Sequence, residues 1–258
     1  MAVVQGSMAV MGAPGCDDAP IVTVPTGPTS IARNVTLIMP YYENPQFLAK
    51  QYEHLRTLPW RQYLSVIIVD DGSPREPAEG VLSGISQDEL ALKLFRIEVD
   101  VRWNWLAARN IGVFNAKTVW VAMTDMDHVL PEKTAYTLVH GQHSRGTIYR
   151  FSRVGTKTHP HPNSWFMTRE MYWRVGGYDE ALSGHYGTDG EYRRRCAKTA
   201  LIRIMDVPLE LHEHEGDSST THYKRKQPED AKAKQLIRAR GPGWKPKIMS
   251  FPYHEVKL

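Results

Sequence analysis

Three acidic clusters and one histidine pair stand out by residue type and spacing. Asp70-Asp71 closes one apolar run, and Asp125-Met126-Asp127 follows another. Two carboxylates spaced D-x-D converge on one side only if the chain turns there. They then make a hard oxygen site suited to Mg²⁺ or Mn²⁺, of the kind shared with substrate phosphates. A D-x-D alone is equally a solvated turn, but its place directly after VWVAMT favours a site. His212 and His214 lie in LHEHEG. Imidazole beside the carboxylates would favour Mn²⁺ over Mg²⁺; surface histidines, or a zinc-hydrolase H-x-H, are the alternatives. Asp189, in GTDGEYRRR, suits a helix N-cap. His159 and His161, in THPHPN, read as ordinary loop histidines.

These residues need elements to hold them. Val35–Tyr42 is a short apolar run closed by polar residues, as expected of a buried strand. Pro45 opens a helical pattern in which Leu48, Tyr52, Leu55 and Leu58 recur at spacings of four and three. Leu64–Val69 predicts a second strand, ended by the turn Asp70-Asp71-Gly72-Ser73-Pro74. Leu92–Val99 predicts a third strand, Leu106–Lys117 a helix and Val119–Thr124 a fourth strand. Pro131 suits the start of the next helix. Beyond it the pattern predicts a strand at Thr147–Val154, helices at Thr168–Val175 and Asp189–Lys198, a strand pair in Leu201–Leu211 and a basic helix at Pro228–Arg240. Alternating strands and helices define an α/β class with a largely parallel sheet. In such sheets ligands bind at the carboxyl ends of the strands, where the acidic clusters fall.

The 258 residues fit one domain of generous size, able to bury about 70–75% of its unfolded surface without a disulfide or metal staple. No run of 18 apolar residues is present, which excludes a spanning helix. Cys16 and Cys196 lie far apart in a chain too poor in Cys to be a disulfide framework, so the expectation is a reduced, soluble, cytoplasmic protein. Net charge is +4, but it is uneven: from Arg193 onward it is +7, and the residues before it sum to −3. A basic C-terminal quarter suits either a solvated face or an anionic partner. Residues 1–34, rich in Gly, Pro and Thr, are expected to be a loose arm, 35–215 the folded domain and 216–258 a basic extension.

The segments VTLIMPYYEN, VIIVDDGSP, AARNIGVFNAKTVWVAMTDMD, VGGYDEAL and GTDGEYRRR, in that order, resemble the family 2 glycosyltransferases of GT-A fold. The resemblance covers about residues 35–215. It implies a Rossmann-like single domain that moves a sugar from a nucleotide-diphospho-sugar, chiefly a UDP-sugar, to an acceptor hydroxyl with inversion. It implies that Pro40 and Tyr42 border the base, and that Asp71 hydrogen-bonds the uracil while Asp70 supports the loop. Arg109 and Asn110 lie near base and diphosphate. Asp127 is the direct metal ligand, Asp125 lies nearer the ribose, and His212 or His214 completes the metal shell. Asp189 matches the acid that deprotonates the acceptor. Thr188 stands where the family usually has Glu, so the acceptor contact made by that Glu is altered.

Trp103, Trp105, Trp165, His185 and Tyr186 are expected in segments that rim the cleft, with Trp165, His185 and Glu191 as acceptor-side candidates. The implied acceptor is a glycan or lipid-linked saccharide, and the basic helix could rest peripherally on anionic lipid. Lys224, Arg225, Lys226, Lys232, Lys234, Arg238 and Arg240 suggest an alternative, a nucleic-acid backbone and a hydroxylated DNA base as acceptor. A further alternative is a nucleotide-sugar-binding module without catalysis, which the presence of Asp127 and Asp189 disfavours.

Overall fold

The computed structural model describes residues 33–83, 90–101, 103–154, 160–211 and 228–258. The described elements run in chain order as strand β1 (Val35–Tyr41), helix α1 (Pro45–Thr57), β2 (Leu64–Asp70), α2 (Ala78–Leu82), β3 (Ala91–Ile97), α3 (Trp105–Asn115), β4 (Trp120–Met123) and β5 (His128–Val129). There follow α4 (Glu132–His140), β6 (Thr147–Val154), β7 (Trp165–Thr168), α5 (Arg169–Val175), α6 (Asp189–Thr199), β8 (Leu201–Leu211), α7 (Pro228–Arg238) and β9 (Tyr253–Val256). Among the described residues the strands form one sheet in the order β5-β8-β6-β7-β4-β1-β2-β3-β9.

The central strands β4, β1, β2 and β3 are parallel. Their near-continuous apolar sequence follows from burial on both faces. Leu37, Met39, Val66 and Ile68 point into one core with Leu48 and Leu55 of α1; Ile38, Ile67 and Val69 point into the other with Ala107, Ala108 and Ile111 of α3. Asn44 caps α1 by accepting a hydrogen bond from Phe47 N, and Pro45 needs no partner for its nitrogen. Gly112 lets α3 lie directly on β1, since a Cβ there would meet Ile38 Cγ2 at 2.3 Å. That contact fixes the height at which Arg109 and Asn110, one turn earlier, stand over the sheet.

The chain leaves β1 toward β2 and β3, then returns to place β4 on the opposite side of β1. The crevice at this reversal is where ligands bind in open α/β sheets. Tyr41, Asp70 and Met123 end the three strands beside it, which brings Tyr42, Asp71 and Asp125 to one edge.

Three expectations change. Leu201–Leu211 is one strand, parallel to β6, with a register shift between Phe151 and Ser152, because no turn interrupts its pairing. Asp189 is the first residue inside α6 and Thr188 holds the capping position, with no side-chain cap bond from its hydroxyl. The C-terminal residues are not a separate extension: β9 pairs antiparallel with β3, and Ile31–Leu258 form one compact unit. In α7, Lys232, Lys234 and Arg238 are exposed, but Arg240 is tied into ion pairs and leaves the set expected to track a polyanion. No described helix is long and apolar enough to cross a membrane. Residues 1–32, with most of the expected arm, and Lys224, Arg225 and Lys226 lie outside the described residues.

Candidate active site

The loop after β2 is shaped by Asp70, whose two carboxylate oxygens accept from Ser73 N and Ala78 N, both at 2.8 Å. Asp71 is buried beside it, and its Oδ1 has no hydrogen-bond partner among the described residues. Burial, then the Asp70 charge, push its carboxyl well above the usual range, and the backbone N–H of Asn104 opposes them. Asn104 is also buried, with its Oδ1 accepting from Ser183 Oγ at 2.6 Å and its Nδ2 unpartnered. An acceptor and a donor thus stand together at the end of β2. Pro40 is half-buried in β1, and Tyr42 at its end donates from its hydroxyl to Asp100 Oδ1 at 3.1 Å.

Across the crevice, Arg109 is fully buried between the rings of Trp105, 4.7 Å from its guanidinium, and Tyr178, at 5.6 Å. It pairs with Asp125 Oδ1. On its other oxygen Asp125 meets His161 Nε2 at 3.2 Å. Burial pushes the Asp125 carboxyl up, but the charge of the Arg109 guanidinium opposes it, and the carboxyl is held below the ordinary value. Burial drives the His161 imidazole down to about 4, against the pull of Asp125, so at neutral pH the ring is neutral.

Asp127 accepts from His128 Nδ1 at 2.6 Å when that nitrogen carries the proton. The other ring nitrogen of His128, Nε2, is then a lone-pair donor, buried and without a partner. Asp125, His128 and His161 offer ligand atoms that all lie within 4.8 Å of one another. An orphaned buried imidazole nitrogen beside a carboxylate and a second neutral imidazole fits a divalent cation, and the N,N,O donor set suits Mn²⁺ over Mg²⁺. Of the expected ligands, Asp125 belongs to this group. Asp127 instead backs His128, and His212 and His214 lie outside the described residues, just after Leu211, which pairs with His128. His161, read from sequence as an ordinary loop histidine, enters the site. Its signal was weak: a His two residues before an Asn, with no periodic element around it.

That Asn is the link to Asp189. Asn163 Nδ2 donates to Asp189 Oδ1 at 2.7 Å. Burial raises the Asp189 carboxyl and the Asn163 hydrogen bond opposes it, with the charge of Asp125 adding to the rise. One short loop therefore carries His161 to Asp125 and Asn163 to Asp189. At the rim, Trp103 takes a positive φ of 48° and its ring lies 4.7 Å from that of Tyr186. His185 is half-buried nearby in sequence.

Three of the expected contact residues are buried against partners within the protein. Asn110 is fully buried: its Nδ2 donates to Tyr178 O and Glu180 Oε1, and its Oδ1 accepts from Tyr172 and Tyr178, so it ties α3 to the 176–180 turn and not to a ligand. Trp165, the first residue of β7, is fully buried between β4 and β6. Glu191 is buried and bound by Arg195 and Arg240, which leaves it no free oxygen for an acceptor.

A mostly parallel sheet with acids at its reversal point, and the half-buried Asp189 across the crevice, is the mixed α/β arrangement that this chain shares with solved GT-A glycosyltransferases. The chain belongs to the family described as glycosyl transferase family 2, whose profile matches residues 36–192. The fold is similar to Staphylococcus aureus TarS residues 1–349, solved with UDP-GlcNAc, at 14% identity and a TM-score of 0.62, covering 79% of this chain and 65% of that one. It is also similar to the mannosyltransferase PcManGT of Pyrobaculum calidifontis, solved with GDP-Man and Mn²⁺, at 16% identity and a TM-score of 0.54, covering 74% and 61%. A Drosophila β-1,4-galactosyltransferase 7 mutant, solved with manganese, UDP-Gal and xylobiose, is similar at 14% identity and a TM-score of 0.53, covering 83% of each chain. The chain thus spans under two thirds of the TarS and PcManGT structures. No curated protein matches the sequence.

Proposed function

We propose that this glycosyltransferase moves a sugar from a UDP-sugar to an acceptor hydroxyl on a glycan, with inversion and with a divalent cation at Asp125, His128 and His161. The observation that carries the reading is the 160–164 loop, which couples the acid of the donor end to the acid of the acceptor end through His161 and Asn163. Support for uracil comes from the unpartnered pair at the end of β2. Asp71 Oδ1 accepts and Asn104 Nδ2 donates, which complements an N–H flanked by carbonyls, the edge that uracil presents. An unmet buried acceptor and donor cost about 1–3 kcal/mol each, so a base that satisfies both is favoured over one that does not.

Asp189 acts as general base and takes the proton of the attacking hydroxyl. Its raised pKa makes it a better proton acceptor than an ordinary aspartate, and Asn163 keeps the carboxylate aimed while it is charged. Arg109 holds Asp125 in the charged form and in one orientation. Asp127 fixes the tautomer of His128 and so the direction of its Nε2 lone pair. The cation would supply Lewis-acid neutralisation of charge on the departing diphosphate. A single in-line displacement, with one base opposite the leaving group, inverts the anomeric centre.

The test is thermal unfolding with UDP, GDP and TDP, each with and without Mn²⁺, for the wild type and Asp189→Asn. UDP at 100 times its dissociation constant should add about 2.7 kcal/mol of stability. The expected result is a Mn²⁺-dependent shift with UDP that Asp189→Asn retains while losing sugar transfer. Equal loss of binding and transfer would overturn the base assignment, and a preference for GDP would overturn the donor class.

A further inference from the structure

The family match ends at Tyr192, yet one of the two arginines that hold Glu191 in the first turn of α6 comes from beyond α7. Glu191, two residues after Asp189, receives both nitrogens of an Arg195 fork at 2.8 Å each, and Arg240 Nη1 at 2.6 Å. Arg240 also pairs with Asp179, and its guanidinium lies 3.6 Å from the centre of the Trp244 ring. Asp179 accepts Lys247 N at 2.9 Å, and Glu180 N donates to Lys247 O at 2.8 Å. The Glu180 carboxylate then receives Met249 N, Ser250 N and, on the inner side, Asn110 Nδ2.

All three acids are buried, and each is met by a cation or by backbone N–H groups. The turn just before Asp179 has no slack. Gly176 and Gly177 sit at φ 98° and 66°, and a Cβ on Gly177 would meet Asn110 Oδ1 at 2.9 Å and Ile248 Cγ2 at 3.4 Å.

We infer that Arg240–Ser250 is a strap that positions the reacting groups, with Arg240 as its positioning residue. The strap holds the first turn of α6, which presents Asp189, and through Glu180 and Asn110 the turn of α3 that presents Arg109. This rests on the reading of Asp189 as the base. Two helices that approach the crevice from different parts of the chain are fixed to one segment, so freeing that segment loosens both. A displacement of about 1 Å at a catalytic group costs on the order of 100-fold in rate, so the effect reaches the chemistry without touching substrate.

The experiment compares the full-length wild type with Arg240→Ala, Arg240→Lys and Trp244→Ala. Backbone hydrogen exchange reads the positioning, UDP with Mn²⁺ in thermal unfolding reads the donor site, and turnover of a UDP-sugar reads the chemistry. In Arg240→Ala, exchange should quicken at Asp189–Arg193 and in the first turns of α3 while β1 and β2 keep their protection. Because α3 carries Arg109 and begins at Asn104, the UDP-induced shift should shrink in part, while kcat should fall much further, by about 100-fold. Arg240→Lys should recover part of kcat, because an ammonium reaches one carboxylate but cannot bridge two as the guanidinium does. Trp244→Ala should give a weaker form of the same pattern and decides the matter if Arg240→Ala does not fold. Faster exchange confined to residues 236–252, or an equal loss of UDP binding and turnover, would overturn the strap. A wild type that turns over no UDP-sugar would count against the proposed donor and leave the exchange comparison to decide the strap alone.

Discussion

Replacing Arg109 by Ala tests the electrostatic centre of the site. The guanidinium is fully buried, and its charge faces Asp125, whose side chain is 34% exposed. Breaking a buried ion pair by removing one partner costs about 3–5 kcal/mol, because the remaining charge is left without compensation. Here the lower end applies. Asp125 is open enough for water to approach its freed oxygen, and His161 stays 3.2 Å from the other. The aromatic slot between Trp105 and Tyr178 would also be emptied, and the lost guanidinium packing opposes a gain from that water. The net expectation is about 3 kcal/mol, a substantial part of the 5–15 kcal/mol that stabilises most domains. At about 2–4 °C per kcal/mol for a chain of this size, the midpoint should drop by about 6–12 °C. Urea unfolding of the metal-free protein at neutral pH measures the free-energy loss, and thermal unfolding followed by circular dichroism measures the midpoint. Arg109→Lys should fall between, since the ammonium keeps the charge but does not stack between Trp105 and Tyr178. A loss under about 1 kcal/mol for Arg109→Ala would refute the reasoning, because that is the range of a surface pair.

Other outcomes follow from the same contacts. Asn163→Ala removes the hydrogen bond that favours the charged form of Asp189. Its already raised pKa should rise further, and because the base acts only when deprotonated, the acidic limb of the activity profile should move to higher pH. An unmoved limb would show that Asp189 does not set it. His161→Ala should abolish the Mn²⁺-dependent part of the UDP thermal shift, and Asp127→Asn, one contact removed from the ion, should weaken apparent Mn²⁺ affinity by about 10–100-fold. If His161→Ala left the Mn²⁺ effect intact, the cation would sit elsewhere.

What could be read from residue order alone was local. Apolar runs such as VTLIMPYY and LSVIIV, each closed by a turn-forming or acidic end, marked the parallel strands, and so placed Asp71 and Asp125 at strand ends. The pattern works because a strand buried on both faces must be apolar almost throughout, and this constraint acts on consecutive residues. Ordered motifs then placed Asp189 near a helix start. Tertiary structure decided which of the legible residues meet. His128 and His161 belong to segments far apart in the chain, and only the sheet order β8-β6-β7-β4 brings the 160–164 loop over the end of β4. Asn110, Trp165 and Glu191 are likewise buried against partners that no spacing announces. Arg240 shows the cause most plainly. Its charge was visible, and in sequence it looked like part of a basic face. It became the clamp of α6 because β9 closes on β3 and holds the segment before it across the 176–180 turn, a pairing between segments far apart in the chain that leaves no local mark on either.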